Sequence, residues 1–211
     1  MSEEMPVDGI NSQEFLQVGF EGNLPSQLAD LRSLVSDFTF AQNCVTAYLN
    51  SGKLNCDEES QQIVAKSLWT SAAIAYRRGF TTGKAQLVPQ GSRLKITEGW
   101  YQSLTPEYKE AHDDLLEIAN RQIAHHTGKH DQYKILAFLT PPPMPRAVVG
   151  TGVLSASLAA PTEERLRQLG ELCQSLIVGL EDRFKVVSAE FDEHLASRDL
   201  DDLYRAANGG V

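Results

Sequence analysis

The chain has little of what several function classes require. No apolar run approaches the ~18 residues of a membrane span, and Met1-Ser2-Glu3-Glu4 is acidic where an export signal needs positive charge. There is no excess of base: 19 Lys and Arg stand against 28 Asp and Glu, a formal charge of −9. A global positive field for nucleic acid is therefore excluded, although a small local basic site is not. Only three cysteines occur, Cys44, Cys56 and Cys173, and no pair has zinc-site spacing. An odd, scattered set builds no disulfide framework. These absences predict a reducing, cytoplasmic setting and no membrane partner. Internal repeats and low-complexity segments are also missing.

What is present is helical periodicity. Residues 1–24 read as an irregular N-terminal arm around Phe15, Leu16 and Phe20. From Pro25-Ser26, the residues Leu28, Leu31, Val35, Phe38, Val45 and Leu49 keep the spacing of one helical face, which Ser51-Gly52 ends. A second helix opens at Asp57 with Glu58 and Glu59 against the positive end of its dipole. It continues through Val64, Leu68, Trp69, Ala72, Ala75 and Tyr76 to Gly79. Residues 80–104 read as a loop. Thr105-Pro106-Glu107 then makes a strong helix start, and that helix ends near Thr127-Gly128.

Tyr133–Leu139 and a second apolar piece, Ala147–Val149 with Val153-Leu154, predict a small β-hairpin near 132–158 turned by Pro141–Pro145. Pro161-Thr162 opens the longest helix, striped by Leu166, Leu169, Cys173, Leu176, Leu180, Phe184, Val187, Phe191 and Leu195. Residues 198–211 read as an acidic, Gly-Gly tail. The expected fold is mainly α, a bundle of four to five helices over 25–197 with a β-hairpin insertion.

Titratable side chains cluster at one place, Asn120-Arg121-Gln122-Ile123-Ala124-His125-His126, at a helix end. Arg121 and His125 are four apart and so are neighbours on a helix. A histidine titrating near neutrality beside a fixed cation suits acid–base work on a phosphodiester, with Asn120 orienting either group. The bland alternative is a polar helix end whose histidine only favours the dipole. His125, His126 and His130 do not make a metal site, because adjacent helical residues diverge by ~100° and no carboxylate completes a set. Arg77 and Arg78 are either a solvated helix end or ligand arginines facing the His125 end. The glycines of 79–84 are not a phosphate loop: their spacing is wrong and they follow a helix.

The order of elements, with Ala75-Tyr76-Arg77-Arg78-Gly79-Phe80 and Ile123-Ala124-His125, resembles the HEPN-type helical domains of bacteria and their viruses. The branch it resembles has a helix ending Arg-Asn-Lys-His-Ile-Ala-His. The resemblance implies a homodimer and a metal-independent, cofactor-free ribonuclease-type domain of RNA processing or phage defence. It places the catalytic histidine on His125 and the polar position on Asn120; Arg121 is the third candidate catalytic group beside them, and Arg77, Arg78 and His126 are the candidate substrate-binding groups. The family's arginine falls on Ala119, which implies a degenerate, RNA- or protein-binding member. The other expectation is an acidic interaction protein, an inhibitor or scaffold, whose charge faces a basic protein partner.

Overall fold

The computed structural model describes residues 16–81, 98–123, 132–156 and 161–208. Among these described residues, six helices and a two-stranded sheet follow in chain order. α1 is Asn23–Ser51 and α2 is Glu58–Arg78; α3 is Glu98–Ser103 and α4 is Pro106–Glu117, continued by a π-helical turn over Ile118–Ile123. β1 is Gln132–Leu139, β2 is Val148–Ala156, α5 is Glu163–Ala196 and α6 is Leu200–Asn208.

Local chemistry sets most of these boundaries. The Asp57 carboxylate accepts from Ser60 N at 2.9 Å and starts α2. The Thr162 hydroxyl accepts from Arg165 N at 3.2 Å and starts α5. Pro106, which has no N–H to waste, opens α4.

The packing directions make an up-down-up-down bundle. Arg32 lies 5.7 Å from the Phe184 ring and Gln42 donates to Gln174 at 2.9 Å, so α1 and α5 are antiparallel. Arg78 meets Asp37 at 3.1 Å while Phe38 meets Tyr76, so α2 runs back along α1. Arg165 reaches Asp114 at 2.6 Å and Tyr108 bonds to Glu171, which turns α4 antiparallel to α5. It follows that α4 is also antiparallel to α2. The core between them is Leu34, Phe38, Ala41, Trp69, Ala72, Tyr76, Leu115, Leu166, Leu169 and Cys173, with others.

Close approach of α2 to α1 depends on one glycine. A β-carbon at Gly79 would stand 2.3 Å from Phe38 Cζ. The buried alanines Ala72, Ala73 and Ala75 give α2 a small surface.

Three expectations need correction. Residues 98–103, read as loop, form α3, because Trp100 packs 5.8 Å from Phe80 and donates to Ser175 Oγ at 3.2 Å. Six residues are too few to show a period. Residues 198–211, read as a tail, contain α6, whose start is held by Asp199 accepting from Asp201 N at 2.8 Å. Third, the α4 helix leaves regular α geometry at Ile118. The hairpin is as expected: β1 and β2 pair antiparallel, and Thr140 closes the turn by accepting from Ala147 N at 2.9 Å. No helix among the described residues is long and apolar enough to cross a membrane.

Candidate functional site

Each predicted site residue has a definite place or lies outside the described residues. His125 and His126 lie outside them, and Arg121 is in the π turn. Asn120 is half-buried in the same turn, beside Ala119 at 0% exposure. π turns insert a residue into a helix and re-aim its side chains, and they recur at functional sites. Here the turn packs against α2 and α4, which seals Ala119 in and leaves Asn120 at the margin.

Arg77 and Arg78 are not brought to this turn. His112 of α4 is level with Tyr76, its ring nitrogen 2.8 Å from the Tyr76 hydroxyl. From there the chain climbs α2 antiparallel, away from both arginines at ~1.5 Å per residue. Arg78 is joined to Asp37. Arg77 is half-buried, its Nε without a hydrogen-bond partner among the described residues.

A polar layer joins the first turn of α4 to α5, at the end of α4 opposite the π turn. Gln168 donates to Glu107 at 3.0 Å, and Arg167 bonds to Glu164 at 2.5 Å and Glu171 at 2.7 Å. The Arg167 guanidinium holds the Glu164 carboxyl below the ordinary range; at Glu171 the Tyr108 hydroxyl, then Arg167, does the same. Arg167, Glu164 and Glu171 are exposed, so their ion pairs specify register more than they stabilise, whereas Gln168 is buried.

The sequence reading missed a buried titratable group, His112. His112 is buried among Tyr76, Phe80, Trp100 and Tyr101, with ring centroids 5.8, 4.6, 5.5 and 5.4 Å away. Burial pushes its pKa down, only partly offset by Asp113, and burial raises the Tyr76 hydroxyl well above its usual value. Both stay neutral at pH 7 and share a hydrogen bond. A signal existed: His112 precedes Leu115 by three and Leu116 by four, so it lies on the core stripe. The arrangement is a buried, hydrogen-bonded core pair.

A pH dependence follows. The unfolded histidine titrates near 6.5, and the folded one lower. As pH falls below about 6.5 the unfolded chain takes up a proton that the folded chain refuses, so stability drops, by at most ~1.4 kcal/mol per pH unit. Urea unfolding of wild type and His112→Gln at several pH values between 7.5 and 5 checks this. The difference between them should change over that window, and a constant difference would contradict it.

The two buried cysteines do not suit nucleophilic catalysis. Burial pushes the Cys173 thiol up to about 12 and raises Cys44 as well, whereas a reactive thiol needs a lowered pKa. Among the described residues no group of His, Cys, Asp and Glu could hold a metal ion. A cavity of about 530 Å³ lies between Val18–Glu21 of the arm and Arg198, Asp199, Asp202, Leu203 and Ala206.

No protein-family model, curated protein or solved structure matches this chain.

Local charge distinguishes the region around the π turn. Residues 118–156 carry Arg121, Lys129, Lys134 and Arg146, three histidines and a single carboxylate, Asp131, within a chain of net charge −9. The local excess of base comes from a shortage of carboxylates, since the Lys and Arg are at the chain's ordinary density there.

Proposed function

We propose that the protein is a HEPN-like, RNA-associated domain in which the helix end at 118–126 contacts RNA without cleaving it efficiently. The reading places it in RNA processing or bacterial–phage conflict, acting as a homodimer. The observation that carries it is the sealed Ala119 beside the marginal Asn120, at the head of a basic, histidine-rich segment. At the position where the resemblance expects arginine, a fully buried methyl group can stabilise no charge on a phosphorane. Phosphate binding needs only the cations and imidazoles that remain. Arg77 and Arg78, level with the start of α4 and away from the motif, are left out of this site.

The test is a metal-free RNA incubation of wild type and His125→Ala, with binding followed in parallel. Expected are cleavage near background in both and binding weaker by about tenfold in the variant, since a lost phosphate contact also lowers the salt slope by roughly one. Rapid wild-type cleavage abolished by the substitution would overturn the degenerate reading. Equal binding by both proteins would remove RNA from the site.

A second reading is the acidic interaction protein with a basic partner. It is favoured by the junction of α5 and α6, where Asp192, Glu193, Asp199, Asp201 and Asp202 are all exposed. Such a surface would speed encounter with a cationic protein in a salt-dependent way.

A further inference from the structure

Among the described residues, the ring box around His112 has one removable wall. Tyr76 and Phe80 form its inner side, and both also pack on the buried Phe38 ring, at 5.8 and 6.0 Å. They cannot leave without opening the bundle. The other side is α3, whose Trp100 and Tyr101 rings stand 5.5 and 5.4 Å from the imidazole. Six residues are well below the ~12–15 at which a helix begins to hold itself in water, so α3 stays only by what it touches. Trp100 packs on Phe80 and its Nε1 donates to Ser175 Oγ of α5 at 3.2 Å. The Tyr101 hydroxyl donates to Asp113 at 3.0 Å, and Lys109 Nζ donates to the Gln102 carbonyl at 3.3 Å. Each of these three bonds lies at the surface.

A proton on His112 changes which arrangement costs less. The groups around the ring are Tyr76 of α2, Phe80, Trp100 and Tyr101 of α3, and Asp113 of α4. From α5, Cys173 acts on the Tyr76 hydroxyl, and Ser175 holds Trp100. Tyr76 and Cys173 are neutral, because burial raises both. Lys109 of α4 faces the Tyr101 ring at 5.7 Å. The carboxylate that acts on the imidazole is Asp113, and it only partly offsets burial. Neutral His112 shares its hydrogen bond with Tyr76. The imidazolium carries a donor on both ring nitrogens and a charge that needs water. Lifting α3 admits that water for three surface hydrogen bonds and the Trp100 packing. Unfolding the bundle would give up the whole core, so the local route is the cheaper one.

We propose that α3 is an acid-released strap: proton uptake by His112 detaches Glu98–Ser103 and uncovers Phe80 and His112 while α1, α2, α4 and α5 stay folded. Such release is local, unlike the loss of overall stability described above, and it does not depend on RNA contact at the π turn. Open, the histidine titrates at its ordinary value, so opening gains at most about tenfold per pH unit below about 6.5.

The experiment is amide hydrogen exchange of the full chain, by mass spectrometry, between about pH 7.5 and 5, each rate divided by that of an unstructured peptide at the same pH. The amides of Gln102–Leu104 report the strap, the last of them bonded to the Tyr101 carbonyl at 3.2 Å. Those of Ala72–Tyr76 report the bundle. In wild type the strap should be less protected than α2 at every pH, and its protection should fall by about three- to thirtyfold across the window. In His112→Gln, which cannot take up the proton, the strap should keep a pH-independent protection. Tyr101→Phe removes one surface bond and should lower strap protection by about two- to tenfold at every pH, with the wild-type slope retained. Wild-type strap protection that does not change with pH overturns the proposal, as does an equal slope in His112→Gln. Strap amides that exchange only together with Ala72–Tyr76 also overturn it, because release would then be global. Should His112→Gln fail to fold, the wild-type slope and Tyr101→Phe, altered at a partly exposed position, decide by themselves.

Discussion

Phe38→Ala should lower stability by about 3–5 kcal/mol, the range for deleting a fully buried phenyl ring. Phe38 has no exposed surface, and its ring meets Tyr76 at 5.8 Å and Phe80 at 6.0 Å. It is the contact through which α1 holds the end of α2. The loss has two parts, the transfer of the ring and the cavity left in a bundle that cannot collapse around it. Gly79→Ala probes the same contact from the other side. The added methyl would meet Phe38 Cζ at 2.3 Å, an overpacking that costs about 1–3 kcal/mol. Because the two substitutions act on one contact, they should not be additive. The double variant should be more stable than the sum of the single losses implies. Urea unfolding of the three variants measures this, and strict additivity would show that Phe38 does not rest on Gly79.

Ala119→Arg should destabilise by about 3–5 kcal/mol and should not create a nuclease. The position has 0% exposure within a turn packed against α2. A guanidinium there would be buried without a carboxylate, which is among the costliest single changes. Thermal unfolding and metal-free RNA cleavage are the two readouts. A stable variant that cleaves RNA would mean that the turn can open to present position 119, and that only the missing side chain stands between this chain and catalysis.

Helix existence was legible in the sequence because local chemistry decides it. Asp57 before Glu58-Glu59, and Thr105-Pro106-Glu107, are signals that need no partner. The long stripe of α5 was legible for a related reason: Leu166, Leu169, Cys173, Leu176 and Val187 are all buried as their spacing requires. Where tertiary packing decides, the reading failed. Leu49 belongs to the expected face of α1 yet is 52% exposed, although Leu31, Val35, Phe38 and Val45 of that face are buried and Leu34, Ala41 and Cys44 are buried beside them. α3 exists because Trp100 and Tyr101 close over His112, a long-range fact absent from any window of six residues.

The candidate site shows the same division. The grouping of Asn120 and Arg121 was visible as a local motif, whereas the separation of Arg77 and Arg78 from it depends on α4 running antiparallel to α2. That direction is set by pairs such as Tyr76 with His112 and Asp114 with Arg165. The π turn was invisible because Ile118-Ala119-Asn120-Arg121-Gln122-Ile123 carries no breaker. The apolar hairpin was visible as a hairpin, but the exposure of Ile135, Leu139 and Val153 was not, since a strand's sequence does not say whether its face is covered.

The measurement closest to the central claim is RNA binding by the full chain across a salt series, without metal, for wild type against Asn120→Ala/Arg121→Ala/His125→Ala. The account predicts weak, salt-sensitive binding that falls by roughly tenfold or more in the triple variant, with a shallower salt slope and an unchanged fold. Identical affinity and slope in the two proteins would contradict it.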